Sequence, residues 1–293
     1  MKKITVLISY AYARNAESSP MWDYYINSPH VELLLDCGAF TAKTTGKEIK
    51  LEDYCAFLDR WKDRLFAYLA LDVVGNPKET DSNLKEMIAA GYKPVPVHVL
   101  GDTQKRMDEL FEMSDYVALA GLKRPGKGHC SKGYVQQKMQ WAKGRNVHWL
   151  GYVVEKMIGA FKPYSVDSSS WGSGFMYGYV RFYHGNGRWS KNVEFHNRHL
   201  LATNEIVPHL RRLGFTIDQF NDRKYWRAHR AINRRSIPNA VGVDSWVRYV
   251  LDIKKQYGSR VFMACNLDVD DGRLIKDTIE GLNENQNLYH GAV

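Results

Sequence analysis

The chain has little cysteine: Cys37, Cys55, Cys130 and Cys265 are scattered through 293 residues, with no CxxC pair. That is the pattern of a reduced, cytoplasmic thiol protein rather than a disulfide scaffold. No apolar run approaches the roughly 18 residues of a membrane span, so no membrane partner is expected. Met1-Lys2-Lys3 precedes only a short apolar strand, Ile4 to Ile8, which is too little for a signal peptide. Internal repeats, low-complexity tracts and flexible linkers are also missing, so one compact unit over residues 1–293 is expected. What is present is ordinary for a globular protein, 44% hydrophobic and 25% charged. The length suits one large α/β domain or a barrel with an appendage.

The net charge of +9 is uneven. Residues 181–248 hold 13 Lys/Arg against 5 Asp/Glu, an excess of +8. Such a segment fits a polyanionic partner, most simply nucleic acid, and equally fits a solvated basic face.

Strand and helix patterns alternate along the first 170 residues. Apolar strands are expected at Ile4–Ser9, Val31–Leu35, Phe66–Leu71, Pro94–Val99, Tyr116–Ala120, His148–Val154 and Tyr164–Val166, with helical periodicity between them. Pro20 and Pro29 read as breaks in a loop over 15–30, and Thr80 or Asp81 as the cap of the helix that follows the third strand. An eighth strand, Arg260–Cys265, would close a barrel. The expected fold is therefore α/β, a (β/α)8 TIM-like barrel with a basic, aromatic-rich insertion over 172–259 between strands 7 and 8. The competing open, doubly wound sheet is weakened by the lack of a Gly-rich dinucleotide fingerprint after the first strand. Within the insertion, helices are expected at about 196–213, 222–235 and Ser245–Gln256, the last with Trp246, Tyr249, Val250 and Ile253 on one face. Most of its leading aromatics, Trp171 to Trp189, should form a small core, with one or two exposed.

Three apolar strands run into a carboxylate: Leu35-Asp36, Leu71-Asp72 and Val166-Asp167. In a parallel barrel, such positions face the site at the C-terminal ends of the strands. Two carboxylates there suit glycosidic chemistry, one attacking an anomeric carbon while the other handles protons. A third can accept from the N–H edge of a base such as guanine. A lone strand-terminal Asp is more often a cap or a loop hydrogen-bond partner; three together favour a site.

Asp36-Cys37-Gly38-Ala39-Phe40 resembles the Asp-Ser-Gly-Gly-aromatic motif of the tRNA-guanine transglycosylases. Ala70-Leu71-Asp72 is similar to their base-reading Asp, Ala120-Gly121-Leu122 to their Gly-Gly-Leu turn, and Val166-Asp167 to the strand end bearing their nucleophile. The four motifs keep the family's order over about residues 31–171. The resemblance implies that Asp167 attacks C1′ of a guanosine nucleotide and that Asp36 transfers protons and contacts the incoming base. It implies further that Asp72 and the backbone at Gly121 and Leu122 read the base edge, and that Phe40 stacks on it. No cofactor is implied, because a covalent sugar ester conserves the glycosidic bond.

The departures bear on the substrate. Family members acting on tRNA carry a cysteine-rich zinc cluster with a histidine near the C-terminus, whereas Cys265 stands alone here. His196 and His199 lack cysteine partners and read as phosphate or solvent contacts, so no metal is expected. The family's Gln-Gly-Gly is replaced by His98-Val99-Leu100-Gly101, leaving His98 either as a base contact or as a packed histidine. Without the zinc module, and with a basic aromatic segment, the chain looks more like the 7-deazaguanine DNA transglycosylases of phages and bacterial modification islands. The expected partners are then DNA, through its phosphates and a flipped guanosine, and a free 7-deazaguanine base such as preQ0. Lys123, Arg124, Lys127 and Lys132 near the site, and Arg181, Arg188, Arg227 and Arg230 in the insertion, are the candidate phosphate contacts. The alternatives are the same chemistry on tRNA, a hydrolytic N-glycosidase and a non-catalytic nucleic-acid-binding barrel.

Overall fold

The computed structural model describes residues 2–124, 128–227 and 236–290. Lys127 and Arg230 lie outside the described residues. The chain divides into two compact units: Thr5–Ser168 with Tyr257–Leu267, and Met1–Ile4 with Ser169–Gln256 and Asp268–Val293.

The first unit is built on a curled, parallel sheet of eight strands. In chain order these are β1 (Ile4–Ser9), β2 (Val31–Asp36), β3 (Ala67–Tyr68), β4 (Val97–His98), β5 (Tyr116–Leu119), β6 (Asn146–Trp149), β7 (Ser165–Ser168) and β8 (Arg260–Cys265). They are hydrogen-bonded in the order β3-β2-β1-β8-β7-β6-β5-β4, so every strand except β3 neighbours the next in sequence, β8 neighbours β1, and β3 and β4 are the two ends. The register runs from Val6 opposite Met263 to Ile8 opposite Cys265, and from Arg260 opposite Ser165 to Met263 opposite Ser168. The outermost strands, β3 and β4, are followed and preceded by residues that meet in one parallel bridge, Leu69 with Val95. There the Ala70 N–H donates to the Val95 carbonyl and the Val95 N–H to the Tyr68 carbonyl, each at 2.8 Å. All six residues of β1 are buried, as a strand of a parallel sheet covered on both faces should be.

Several boundaries differ from the sequence expectation, each for a local reason. Pro20 opens a helix, Pro20–Asn27, rather than breaking a loop: Ser19 Oγ accepts from the Met21 N–H, and proline suits the first helical position because its missing donor is not needed there. Asn76, not Thr80 or Asp81, caps the helix Pro77–Ala89 through the Glu79 N–H. The fourth strand shrinks from Pro94–Val99 to Val97–His98, since Pro94 and Pro96 cannot donate to a ladder. The sixth ends at Trp149 rather than Val154, because Gly151 turns the chain with a left-handed φ of 64°. The seventh continues through Asp167 to Ser168.

The second unit holds a two-stranded antiparallel ribbon, Tyr179–Val180 with Val193–Glu194, and the long helix Ile237–Tyr257, which contains the expected Ser245–Gln256. The helix expected over 196–213 is a 3-10 segment, Phe195–Leu200, followed by an α-helix, Thr203–Arg212. Of the stretch 222–235, Arg223–Trp226 is a 3-10 turn and 228–235 lies outside the described residues. Its core gathers Phe182, Val193, Leu210, Phe220, Trp226 and Val241. Tyr183 and Trp171 are buried as well, while Tyr177 is 70% exposed. Among the described residues no helix is long and apolar enough to cross a membrane.

Candidate active site

Asp36, Asp72 and Asp167 all belong to the first unit, at or just beyond the C-terminal ends of β2, β3 and β7. Asp36 is the last residue of β2. The chain then turns at Gly38, whose φ of 86° and close approach to Ala11 and Ile49, 3.0 Å from a hypothetical Cβ, leave no room for a side chain. That turn aims the Gly38 N–H back at Asp36 Oδ2, 3.1 Å away, and starts the helix Ala39–Thr45. Burial, and then the negative charge of Asp167, push the Asp36 carboxyl up to about 6 against the opposing Gly38 bond. The neighbouring Cys37 thiol is pushed far up by burial and by Asp36, so it is an inert core group. Asp72 Oδ1 accepts from Thr80 Oγ1 at 2.8 Å, and the same hydroxyl accepts from the Val73 N–H at 2.9 Å, which fixes the carboxylate against its own turn. Phe40 is 69% exposed, with its ring open to a partner.

Asp167 is the most firmly held of the three. Ser165 and Asp167 are two apart on β7 and so share one face of the sheet. His148 lies opposite Ser165 on β6 and spans the pair: Nδ1 meets Ser165 Oγ at 2.6 Å and Nε2 meets Asp167 Oδ1 at 3.1 Å. The Gly151 N–H also donates to Asp167 Oδ1, at 2.7 Å. Tyr116, at the start of β5, hydrogen-bonds Ser165 Oγ through its hydroxyl. A carboxylate only accepts, so His148 donates from Nε2, and in the neutral ring Nδ1 then accepts from Ser165. The serine proton thus spent, Ser165 accepts from Tyr116. The chain is directional, Tyr116 to Ser165 to His148 to Asp167. The His148 ring is fully buried, edge-on to Tyr116 and Phe262 at 6.3 and 6.0 Å between centroids. Both donors fall on Oδ1, and among the described residues no hydrogen bond falls on Oδ2.

His148, Ser165 and Tyr116 were not singled out in the sequence. The available signal was a polar residue on an inward position of an otherwise apolar strand, twice, since such a group needs a partner. Which partner it finds depends on the register between β6 and β7.

The remaining candidates divide between the units. At the end of β4, His98 is buried and its Nε2 is engaged with the Thr103 carbonyl at 3.2 Å. Gly121 is a required glycine, with φ of 78° and a hypothetical Cβ 2.8 Å from Leu100 Cβ. The Leu122 side chain is buried, and its carbonyl accepts from the Cys130 N–H at 2.8 Å. Lys123 and Arg124 lie on a ribbon paired with Gly128–His129, and Lys132 begins the helix Lys132–Ala142, capped by Ser131. Lys123 and Lys132 are exposed. Arg181, Arg188 and Arg227 are exposed on the second unit, Arg181 lying 4.7 Å over the Trp189 ring. His196 sits beside Glu194 at 3.5 Å, and among the described residues no cluster of metal-ligating side chains is found.

No known family model matches this chain, and no curated protein matches it either.

Proposed function

We propose that the protein exchanges a guanine in DNA for a 7-deazaguanine base, preQ0 or a relative, through a covalent Asp167–deoxyribosyl intermediate. The reading is carried by the pairing of two unlike carboxyl groups. Asp167 has one oxygen tied down by two N–H donors, and Asp36, whose carboxyl feels the Asp167 charge, keeps its proton up to about pH 6. That is the division of labour a glycosyl transfer needs, an oriented nucleophile and a proton carrier tuned near neutrality.

In the forward step Asp167 Oδ2 attacks C1′, the C1′–N9 bond breaks and the departing guanine takes the proton of Asp36. The incoming base then returns its N9 proton to the Asp36 carboxylate as N9 attacks C1′ and the bond to Asp167 breaks. Atoms and charge balance without a cofactor. Asp72 and the backbone of Gly121 and Leu122 read the base edge, and Phe40 supplies a stacking face. A stacked nucleotide cannot reach such a site, so the guanosine is flipped or single-stranded. Lys123, Arg124 and Lys132, with Arg181, Arg188 and Arg227, hold phosphates. The scaffold belongs to the same reading: the sheet, whose end strands meet at Leu69 and Val95, is taken as a closed (β/α)8 barrel with its site at the strand C-termini.

The test counts radiolabelled guanine or preQ0 entering DNA or tRNA, with Asp167→Ala alongside. Label in DNA only, lost in the variant, is expected. Label in tRNA would keep the chemistry and overturn the substrate. Release of guanine without uptake of label would make the enzyme a hydrolase. No reaction in either polymer, with DNA still bound, would leave a binding barrel.

A further inference from the structure

The second unit contains a cavity of about 590 Å3 that none of the chemistry above uses. Its walls carry Lys2, Arg212, Arg248 and Lys255. Behind them Asp244, almost fully buried, takes Arg212 Nε and an Nη at 3.1 and 2.6 Å and Arg248 Nε at 2.9 Å. One carboxylate therefore orients two guanidinium groups and neutralises one, while both arginines remain partly exposed. Asp252 is the one carboxylate on the cavity wall, and it already accepts from the Tyr183 hydroxyl at 2.8 Å and the Asn186 N–H at 3.2 Å. Four cations against two carboxylates leave the cleft positive.

Two histidines add direction to that charge. Arg212 donates to His209 Nδ1 at 2.9 Å, and His209 Nε2 lies 3.1 Å from His184 Nδ1. Burial, followed by the charge of Arg212, holds His209 down to about 4, so the ring is neutral at pH 7. Its Nδ1 accepts, so its proton is on Nε2 and is donated to His184. His184 in turn carries its proton on Nε2. His184, Leu251 and Leu282 are among the residues that line the cavity. Lys2 is fixed through its backbone, its N–H donating to Asn283 Oδ1 at 2.8 Å and its carbonyl accepting from Asn283 Nδ2 at 3.2 Å.

We propose that this cleft binds the phosphate ester of a nucleotide, with Arg248, Lys255 and Lys2 supplying charge and His184 a directional N–H. An oriented set of donors around a concave, partly apolar wall is the chemistry such a group selects. The site does not depend on the reaction at Asp167. The phosphate can come from a polynucleotide strand or from a free mononucleotide, and the experiment separates them.

The measurement is fluorescence anisotropy of the full chain with a labelled single-stranded DNA 12-mer, competed with deoxyguanosine monophosphate. Lys255→Gln removes an exposed charge without disturbing the core, and His184→Phe removes the N–H. Lys191→Gln removes the same charge from an exposed position outside the cleft. Each cleft variant is expected to weaken binding about ten-fold, and Lys255→Gln to lower the salt slope by about one. The control should change binding less than two-fold. Competition by the mononucleotide identifies a free nucleotide as the ligand, and its absence identifies the strand. Equal losses in Lys255→Gln and Lys191→Gln, or unchanged binding in the folded cleft variants, would overturn the proposal. So would a wild-type chain that binds neither ligand.

Discussion

The two units each contain a histidine chain, and the two run to opposite ends. In the sheet unit the chain starts from a hydroxyl, Tyr116, and delivers an N–H to a carboxylate, Asp167. In the other it starts from a carboxylate, Asp244, passes through Arg212 and His209, and leaves an N–H on His184. One holds a negative charge in place; the other is set to receive one. Histidine content alone says nothing of this, since the outcome depends on what lies at the far end of each chain. On the two proposals above, the contrast also separates two roles that a basic protein can confuse, making a bond to the sugar and gripping the phosphate.

The sharpest way to break the comparison is at the end of the first chain. Asp167→Ala should lower base exchange by at least about 10^4-fold while DNA affinity, read by anisotropy, stays within two-fold. His148→Phe keeps an aromatic of similar size but withdraws the N–H and leaves Ser165 without its acceptor. Exchange kcat should fall about 100-fold with little change in KM, as loss of an oriented nucleophile requires. A purely packing role would leave kcat within a few-fold.

Asp36 sharpens the same end through pH. The folded chain keeps the Asp36 proton up to about 6, whereas an unfolded carboxyl releases it near 3.8. Between those values the folded state binds more protons, so stability falls as pH rises through the window and levels off above it. Asp36→Asn lacks that slope. Its stability relative to wild type should therefore grow by up to about 3 kcal/mol between pH 4 and pH 7, measured by urea unfolding. A flat difference would mean that the carboxyl is not held up. The smallest effect is expected from breaking the second chain: His209→Phe should weaken DNA binding about three-fold and leave exchange kcat unchanged.

Much of the sheet unit was legible in the sequence because its strands are buried on both faces and read as apolar runs. Arg260–Cys265 was found as the eighth strand despite lying far downstream, since its composition matches its neighbours. Asp36 and Asp167 were legible because a charge at the end of such a run needs a reason. His148 was not, because its meaning comes from two residues on an adjacent strand and a backbone N–H beyond the next turn. Gly151 shows the same limit: it reads as part of a strand until the Asp167 carboxylate gives its N–H a destination. In the second unit the basic excess was plain, yet the cleft residues Arg212, Arg248 and Lys255 come together only through the helix Ile237–Tyr257 and the packing around Asp244.

The pairing of β8 with both β1 and β7 has a consequence for biosynthesis. Val6 waits for Met263, made more than 250 positions later, and Ser165 waits for Arg260 across the whole of 169–256. At roughly 5–20 residues per second on the ribosome, the open side of β1 stays unsatisfied for about ten to fifty seconds. Two apolar parallel strands with bare edges are the surfaces most prone to pair with a neighbour in that interval. Yield on expression should therefore respond more to slower growth temperature and to co-expressed chaperones than to any substitution at the site.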